Sequence, residues 1–360
     1  MAYVAVTGGK EAIAESIRLL QYHRCATETP LALEAVEKSM DLLIHRVMGE
    51  AGFYCPAYAA LALKQCEGSV EEAVFLLRAY RSTLTRSYYS LPVDCGEMRL
   101  IRRISSVFKD VKGGQMLGPS YDYTYRILDF GLCQEDAAQA HRQAAAILAG
   151  AQPRPLERLE TVSQGLRDQG LIHTPPENGE EPFDVTMENL EFPCPRSARL
   201  QVLARGDTGF VTGIAYSALR GYGFSNHPTI GELRSGYVDL TIPYLFAEGE
   251  QIDLGELLLT QVVSYTALDD GEAPGSLTIK EGFGMVFGRC ESKAIAISIL
   301  DTTLDEPGDA PCNNEEFVLM HGDMLEMNGY ISHLKLPHYV TFQSKLSSVR
   351  KSREKGGAQP

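Results

Sequence analysis

Long apolar runs are missing from this sequence of 360 residues. The longest stretch without a charged residue, 51–63, has 13 residues and contains Pro56, whereas a membrane-spanning helix needs about 20 apolar residues. A secretory signal pattern is also missing, because Lys10 and Glu11 closely follow the short apolar segment 2–6. We therefore expect no membrane segment and a cytoplasmic location.

Positive charge is scarce. The chain has 33 Lys and Arg residues against 47 Asp and Glu residues, for a net charge of −14. Such a surface repels phosphate backbones, so the composition predicts no nucleic-acid partner, and a phosphate site must be a local basic pocket. The sequence contains no P-loop, and Gly282-Phe283-Gly284 is followed by Phe287 where a dinucleotide-binding motif has its third glycine.

Closely spaced cysteine pairs are absent. The eight cysteines are widely scattered and none forms a CxxC, which excludes the usual signatures of zinc ribbons, thioredoxins and iron–sulfur proteins. We predict free thiols, most of them buried.

Helical periodicity is present in the first part of the chain. Apolar residues recur at helical spacing in 13–20 and again in 33–47, and a third, alanine-rich helix is predicted over 56–68. Ser69 and Glu72 form a capping box that opens a fourth helix. The pattern predicts a helical bundle over 1–86, with the apolar stripes as its core.

The remaining chain reads differently. We predict a basic, Gly- and Tyr-rich segment followed by a helix over 87–149, a Pro-rich linker or wrapping arm over 150–193, an α+β domain over 194–344 and a basic tail over 345–360. In the α+β domain, strand-like composition marks 209–219, 236–242, 254–265 and 282–288, and a docked helix is expected over 292–304. The predicted fold class is α+β: an N-terminal helical domain, then a mixed, largely antiparallel β-sheet domain with docked helices.

Three arginines form the first chemical candidate. Arg99, Arg102 and Arg103 lie close to a run of glycines, and guanidinium groups suit phosphate oxygens. On spacing alone, the alternative of a solvated basic face stays open, as it does for the basic tail, which could also clamp an acidic partner.

Two histidines form the second candidate. His333 and His338 flank a segment that contains Pro337, and only a bent loop could direct both rings to one metal ion. Two ligands are too few for zinc, so two independent histidines remain the alternative.

Acidic side chains near the basic segment and in the β region form the third candidate. Asp122, Glu232 and Asp239 are among them, and glycosyl transfer uses such groups to stabilise positive charge on a sugar. Spacing alone does not tell which of them meet in space.

Several unusual strings occur in order along the chain. They are FLLRAYRSTL at 75–84, RLIRRIS at 99–105, GGQMLGPSYDYT at 113–124, ELRSGY at 232–237 and SHLKLPHYV at 332–340. Together they resemble the PhnI family, the I subunit of the bacterial carbon–phosphorus lyase core complex, over nearly the whole chain.

The resemblance implies a role in phosphonate catabolism. It implies a purine nucleosidase, or transferase, that acts with the G, H and L subunits and replaces the adenine of ATP by methylphosphonate, giving α-D-ribose 1-methylphosphonate 5-triphosphate. The iron–sulfur J subunit would break the C–P bond, and the partners would be the G, H, J, K and L subunits together with ATP and an alkylphosphonate.

The resemblance also suggests roles for the candidate residues. It implies that His333 and His338 bind a zinc ion shared with the J subunit. We predict that Arg99, Arg102 or Arg103 contacts the triphosphate, and that a carboxylate among Asp122, Glu232 and Asp239 supports departure of the base. The competing hypotheses are a non-catalytic scaffold of the same complex and a metal-dependent hydrolase.

Overall fold

The computed structural model describes residues 9–26, 29–172, 179, 181–222, 227–247, 249–269 and 276–356. Two compact units are formed, one from Met1–Leu84, Arg205–Asp207 and Leu319–Pro360, the other from Thr85–Ala204 and Thr208–Val318. Part of the predicted arm, 173–178 and 180, and the end of the predicted tail, 357–360, lie outside the described residues.

Helices dominate the described part of the chain. The α-helices are α1 (Gly9–Arg24), α2 (Leu33–Ser39), α3 (Asp41–Ala51), α4 (Pro56–Gln65), α5 (Val70–Arg81), α6 (Ala137–Gly150), α7 (Val162–Arg167), α8 (Arg196–Arg205), α9 (Thr208–Ser217), α10 (Glu291–Thr303), α11 (Glu315–Met320), α12 (Met324–His333) and α13 (Tyr339–Gly356). Single 3₁₀ or π turns lie at Cys95–Glu97, Tyr121–Tyr123, Phe130–Gln134, Ala218–Tyr222 and Pro311–Asn313. The strands are β1 (Arg99–Ile104), β2 (Thr229–Pro243), β3 (Gln251–Asp269) and β4 (Leu277–Phe287).

Helices α2 to α5 and α12 share the core of the first unit. Buried apolar residues from each of them form one cluster, which includes Val36, Met48, Leu63, Val74 and Met324. Ser69 is confirmed as the N-cap of α5, because its side chain accepts a hydrogen bond from the backbone N–H of Glu72 and α5 begins at the next residue. The reciprocal half of the predicted capping box is not formed, since the backbone N–H of Ser69 donates to the carbonyl oxygen of Cys66. These helices are therefore held by burial of their apolar stripes.

Two predictions for this unit are wrong. The stripe predicted over 33–47 is two helices, because the backbone of Met40 leaves the helical region at φ −121° and ψ 37°. The apolar stripe of α1 is not core: α1 has no buried residue, and Ile13, Ile17 and Leu20 are exposed. A helical period shows which residues share a face, but it does not show whether the folded chain covers that face.

The second unit is built on one antiparallel sheet with the strand order β1-β2-β3-β4. Helix α10 lies directly on one face of this sheet. A Cβ atom added to Gly282 would lie 2.0 Å from the carbonyl oxygen of Ser298, and one added to Gly284 would lie 2.0 Å from that of Ala294. The two glycines therefore allow the helix backbone to approach β4 more closely than any side chain would permit.

The opposite face of the sheet is partly covered by α7 and the segment before it. Val162 and Leu166 of α7 pack with Val111 and Tyr265 in a small cluster. A second cluster joins Met98, Leu100, Val238 and Leu259. These two apolar patches leave a polar region between them, which is where the candidate site lies.

The predicted α+β class is confirmed, with helices and a four-stranded antiparallel sheet. The strand predicted over 209–219 is wrong, because that segment is helix α9, in which Val211 and Ala215 are buried four residues apart. Its β-branched residues favour a strand locally, but packing of one helical face decides the outcome.

The thiol prediction is half right. The cysteines are free, but only Cys194 and Cys312 are buried, whereas Cys25 and Cys133 are exposed. Among the described residues, no helix is long and apolar enough to cross a membrane.

The close contact between α10 and β4 gives the first testable prediction. Gly284→Ala forces a methyl group against backbone that cannot move aside, so we expect the free energy of unfolding to fall by about 3 kcal/mol. Chemical denaturation measures this loss. Gly213→Ala in α9 is the matched control: nothing lies within 4 Å of its added Cβ, and an alanine there should stabilise the helix by up to about 1 kcal/mol. Equal stabilities of the two variants would contradict the account of this contact.

Candidate functional site

A cavity of about 1010 Å³ lies on the face of the sheet opposite α10. Its floor includes Glu232 and Arg234 of β2 and Gln261 and Val263 of β3, and its walls come from 94–97 and 158–167. Because side chains alternate along a strand, Glu232 and Arg234 share one face, and the register places them opposite Val263 and Gln261. The strand pattern therefore brings charged groups together at the bottom of a concave surface.

Five cationic side chains line the cavity: Arg158, Arg167, Arg196, Arg234 and Lys280. Four of them have carboxylate partners. Arg158 pairs with Glu97 at 3.2 Å between Nη1 and Oε2, and Lys280 pairs with Asp305 at 3.2 Å between Nζ and Oδ2. Arg196 pairs with Asp301, with 2.9 Å between Nε and Oδ1, and Arg167 pairs with Glu281.

Arg234 is different. Its side chain is 1% exposed, and no ion pair joins it to a carboxylate among the residues that the structure describes. Nη2 donates to the carbonyl oxygens of Leu159 at 3.0 Å and Gly96 at 3.2 Å, whereas Nε and Nη1 have no hydrogen-bond partner within the described chain. Burial lowers the pKa of Arg234, and the charges of Glu232 and Arg103 act on it in opposite directions. An arginine still keeps its charge under such conditions.

The three sequence-predicted arginines are paired with the three sequence-predicted carboxylates. Arg99 makes a bidentate pair with Asp239, with 2.8 Å for each N–O distance, and also contacts Glu256. Arg102 pairs with Asp122 and with Glu291 at the start of α10. Arg103, which is 1% exposed, pairs with Glu232, which is 2% exposed.

The structure therefore brings these six residues together as separate ion pairs. Of the three carboxylates, Glu232 lines the cavity, whereas Asp122 and Asp239 are about half exposed and are not among its lining residues. Glu232 also accepts a hydrogen bond from the backbone N–H of Val162 at 3.0 Å, so it anchors the first turn of α7. The roles proposed for these residues stay predictions.

The exposed carboxylates are held in their charged form. A hydrogen bond from Ser120 and the charge of Arg102 hold the pKa of Asp122 below its usual value. A hydrogen bond from Arg99 and its charge likewise hold the pKa of Asp239 down. Both groups are therefore anionic at neutral pH, and each already neutralises an arginine.

The two predicted metal ligands meet in the first unit. His333 ends α12 and His338 precedes α13, and their ring centroids are 5.3 Å apart. Nδ1 of His333 is bonded to the carbonyl oxygen of Tyr330, and Nδ1 of His338 to that of Leu336 at 2.5 Å. A carbonyl oxygen accepts only from a protonated nitrogen, so in the neutral form of each ring the proton is on Nδ1 and the lone pair is on Nε2.

No group of three or more His, Cys, Asp or Glu side chains that could hold a metal ion occurs among the residues described. The histidine pair is therefore at most part of a ligand set, as the sequence indicates.

Sequence reasoning missed Arg234. The cluster of arginines at 99–103 is conspicuous in the sequence, whereas Arg234 is a single residue within a strand. The alternation of Glu232 and Arg234 in ELRSGY was the available signal, since charged residues two apart in a strand share a face. No feature of the sequence indicates that the strand face with Glu232 and Arg234 is buried, or that Arg234 has no carboxylate of its own within the described chain.

The comparisons with known proteins cover the whole chain. Residues 2–356 match the family model described as bacterial phosphonate metabolism protein (PhnI). The α-D-ribose 1-methylphosphonate 5-triphosphate synthase subunit PhnI of Escherichia coli is 43% identical over 362 residues, which cover 98% of each chain. The subunit of the same name in Rhizobium meliloti is 41% identical, over 99% of this chain and 96% of its own. The HtxH protein of Stutzerimonas stutzeri is 44% identical over 370 residues. With a match of this extent, the chain belongs to the PhnI family.

Proposed function

We propose that this chain is the I subunit of a carbon–phosphorus lyase system and that its cavity carries the step in which the adenine of ATP is replaced by methylphosphonate. The observation that carries the proposal is the concave cavity on the sheet, whose floor holds the buried side chains of Glu232 and Arg234. The names of the relatives, which describe a ribose 1-methylphosphonate 5-triphosphate synthase subunit, support it.

The reaction is a displacement at the anomeric carbon of ribose. A phosphonate oxygen forms a bond to C1, the bond between C1 and the purine nitrogen breaks, and its electron pair leaves with adenine, which takes up a proton. Positive charge builds on the sugar during this exchange, and a fixed carboxylate stabilises it. Of the three candidate carboxylates, Glu232 is the one that lines the cavity, so it is our choice for this role.

The size of the cavity suits the proposed substrates. Ligand sites typically have volumes of about 300–1,000 Å³, and this one has about 1010 Å³. A nucleoside triphosphate is highly anionic, and the wall contributes arginines and a lysine in a protein whose net charge is −14. The lining also carries six carboxylates, Asp94, Glu97, Glu160, Glu232, Glu281 and Asp305. The cavity as a whole is therefore not basic, and what it offers a phosphate group is the one lining cation without an ion pair among the described residues, Arg234.

Exposed apolar side chains support a multisubunit assembly. Large ones lie at 121–132, including Tyr125, Leu128 and Phe130, and others lie at 330–342 beside the histidine pair. Contiguous exposed apolar surface commonly marks a protein–protein interface. We propose the G, H, J, K and L subunits as partners, in the cytoplasm. The same surfaces would suit a non-catalytic scaffold, which is the competing function.

The histidine pair fits a zinc site shared with a partner. Both Nδ1 atoms are held by backbone carbonyl oxygens, the arrangement that fixes a metal-binding imidazole. His333 and His338 would supply two ligands, and the J subunit would supply another. A zinc ion there would act as a Lewis acid and as a clamp between chains.

The first prediction for this function concerns the products formed from ATP. Chain incubated with ATP, with methylphosphonate and the G, H and L subunits present, should release free adenine, because the base is the leaving group. Chromatography of the products measures it. ADP or AMP in place of adenine would indicate a phosphohydrolase, and an intact assembly without turnover would indicate a scaffold.

The second prediction concerns Glu232. Glu232→Gln keeps hydrogen-bonding capacity but removes the charge, and it also removes the buried counter-ion of Arg103, so a melting curve must first show that the variant is folded. In the folded variant, kcat for adenine release should fall at least about tenfold, with a smaller change in ATP affinity. Glu37→Gln on α2 is the matched control and should leave kcat unchanged. Asp122→Asn and Asp239→Asn belong in the same assay: if either lowers kcat more than Glu232→Gln does, the role belongs to that carboxylate.

The third prediction concerns metal content. In the assembled complex, elemental analysis should find about one zinc ion per pair of I and J subunits. The double variant His333→Ala, His338→Ala should lose it without unfolding, whereas His141→Ala on the exposed helix α6 should retain it. A complex that keeps its zinc after both substitutions would contradict the site.

A further inference from the structure

The charges at the centre of the sheet do not balance. Arg103 and Arg234 are cross-strand neighbours, both 1% exposed, and Glu232 is the buried carboxylate beside them. Glu232 pairs with Arg103 and accepts a hydrogen bond from Val162. The charges of Glu232 and of the exposed Asp94 act on Arg234 through space, but neither carboxylate forms an ion pair with it among the described residues. A buried charge without a counter-ion is costly, and the cost disappears when an anion binds next to it.

The donors of Arg234 are also unused. A guanidinium has five N–H donors, and here Nη2 uses its two on backbone carbonyl oxygens. The single N–H of Nε and the two of Nη1 have no acceptor in the described part of the chain, although Arg234 lines the cavity. Arg103 contrasts with this, since its nitrogens donate to Glu232 and to the backbone oxygens of Lys112, Gly114 and Glu160.

An unused acceptor lies beside these unused donors. Gln261 is the direct cross-strand neighbour of Arg234 and also lines the cavity. Its Oε1 atom is buried and has no donor among the described residues. The floor thus offers a cation with free N–H groups and, one strand away, a neutral oxygen that can accept from a hydroxyl.

We infer that Arg234 binds an oxyanion of a phosphate or phosphonate group and that Gln261 accepts a hydrogen bond from a hydroxyl of the attached sugar, so that the cavity floor takes a phosphorylated sugar. This inference rests on the proposed function and assigns part of its substrate to named residues. Phosphate and phosphonate oxygens share the chemistry that a guanidinium recognises. Water alone is the competing occupant, and it predicts no dependence of ligand binding on Arg234.

Calorimetry on the full chain tests the anion site with four probes: ATP, adenosine, inorganic triphosphate and methylphosphonate. Arg234→Gln should weaken ATP binding at least about tenfold and leave adenosine binding within about twofold. Arg142→Gln on exposed α6 removes the same charge elsewhere and should change neither. If Arg234→Gln also weakens binding of inorganic triphosphate, the oxyanion at Arg234 is a phosphate of ATP. If it weakens binding of methylphosphonate instead, the oxyanion is the phosphonate.

A second variant covers the case in which Arg234→Gln does not fold. Gln261→Glu places a carboxylate opposite Arg234, so the protein would supply its own counter-ion. We expect a higher melting temperature and at least about a tenfold loss of ATP affinity, since the new carboxylate competes with the ligand for the same N–H groups.

The inference is overturned if folded Gln261→Glu or folded Arg234→Gln binds ATP, triphosphate and methylphosphonate as tightly as the wild type. It is also overturned if the wild type binds none of these anions.

Binding and turnover are separate readouts. Loss of triphosphate or phosphonate binding in the variants, without any adenine release by the wild type, supports the inference and refutes the proposed function. Adenine release by the wild type, together with anion affinities that neither substitution changes, supports the proposed function and refutes the inference.

Discussion

Two buried arginines beside one buried carboxylate, which pairs with only one of them, are the feature on which the second unit depends. Glu232 pairs with Arg103 and also receives the backbone N–H of Val162, so one side chain ties β1, β2 and the start of α7 together. Arg234, two residues along β2 from Glu232, holds the backbone at Gly96 and Leu159. These contacts of Glu232 and Arg234 hold the wall of the cavity in place. The positive charge of Arg234 has no buried carboxylate paired with it among the described residues.

This charge imbalance separates a structural cluster from a functional one. In a structural ion pair, each charge is neutralised by another group of the protein, as in the pairs of Arg99 with Asp239 and of Arg102 with Asp122. A group kept buried, charged and short of acceptors at the floor of a cavity lowers the stability of the empty protein and raises its affinity for an anion. A phosphorylated ligand is the occupant that we propose, and α10 packs closely against the other face of the sheet through Gly282 and Gly284.

The sequence predicts the parts of this molecule that local rules decide. The Ser69 cap, strands β2 to β4 and helix α10 follow from turn chemistry and periodicity. The ring centroids of His333 and His338 lie 5.3 Å apart, whereas their spacing alone left two independent histidines open. Prediction from the sequence fails where long-range contacts decide the structure. Segment α9 is a helix despite its β-branched residues, and the apolar stripe of α1 is exposed. Each arginine of the basic segment pairs with a carboxylate at least 20 residues away in the sequence. Arg234 was missed for the same reason, since burial without a counter-ion is visible only once the strands are paired.

The central claim is that Arg234, rather than the paired arginines, meets the substrate's oxyanion. The most direct measurement is an experimental structure of the protein bound to a C-nucleoside triphosphate, whose base cannot leave. The account predicts a phosphate or phosphonate oxygen at about 3 Å from the Arg234 guanidinium, with the pairs of Arg99, Arg102 and Arg103 intact. A triphosphate bound at Arg99 or Arg102 with its carboxylate displaced, and Arg234 contacting only protein and water, would contradict it.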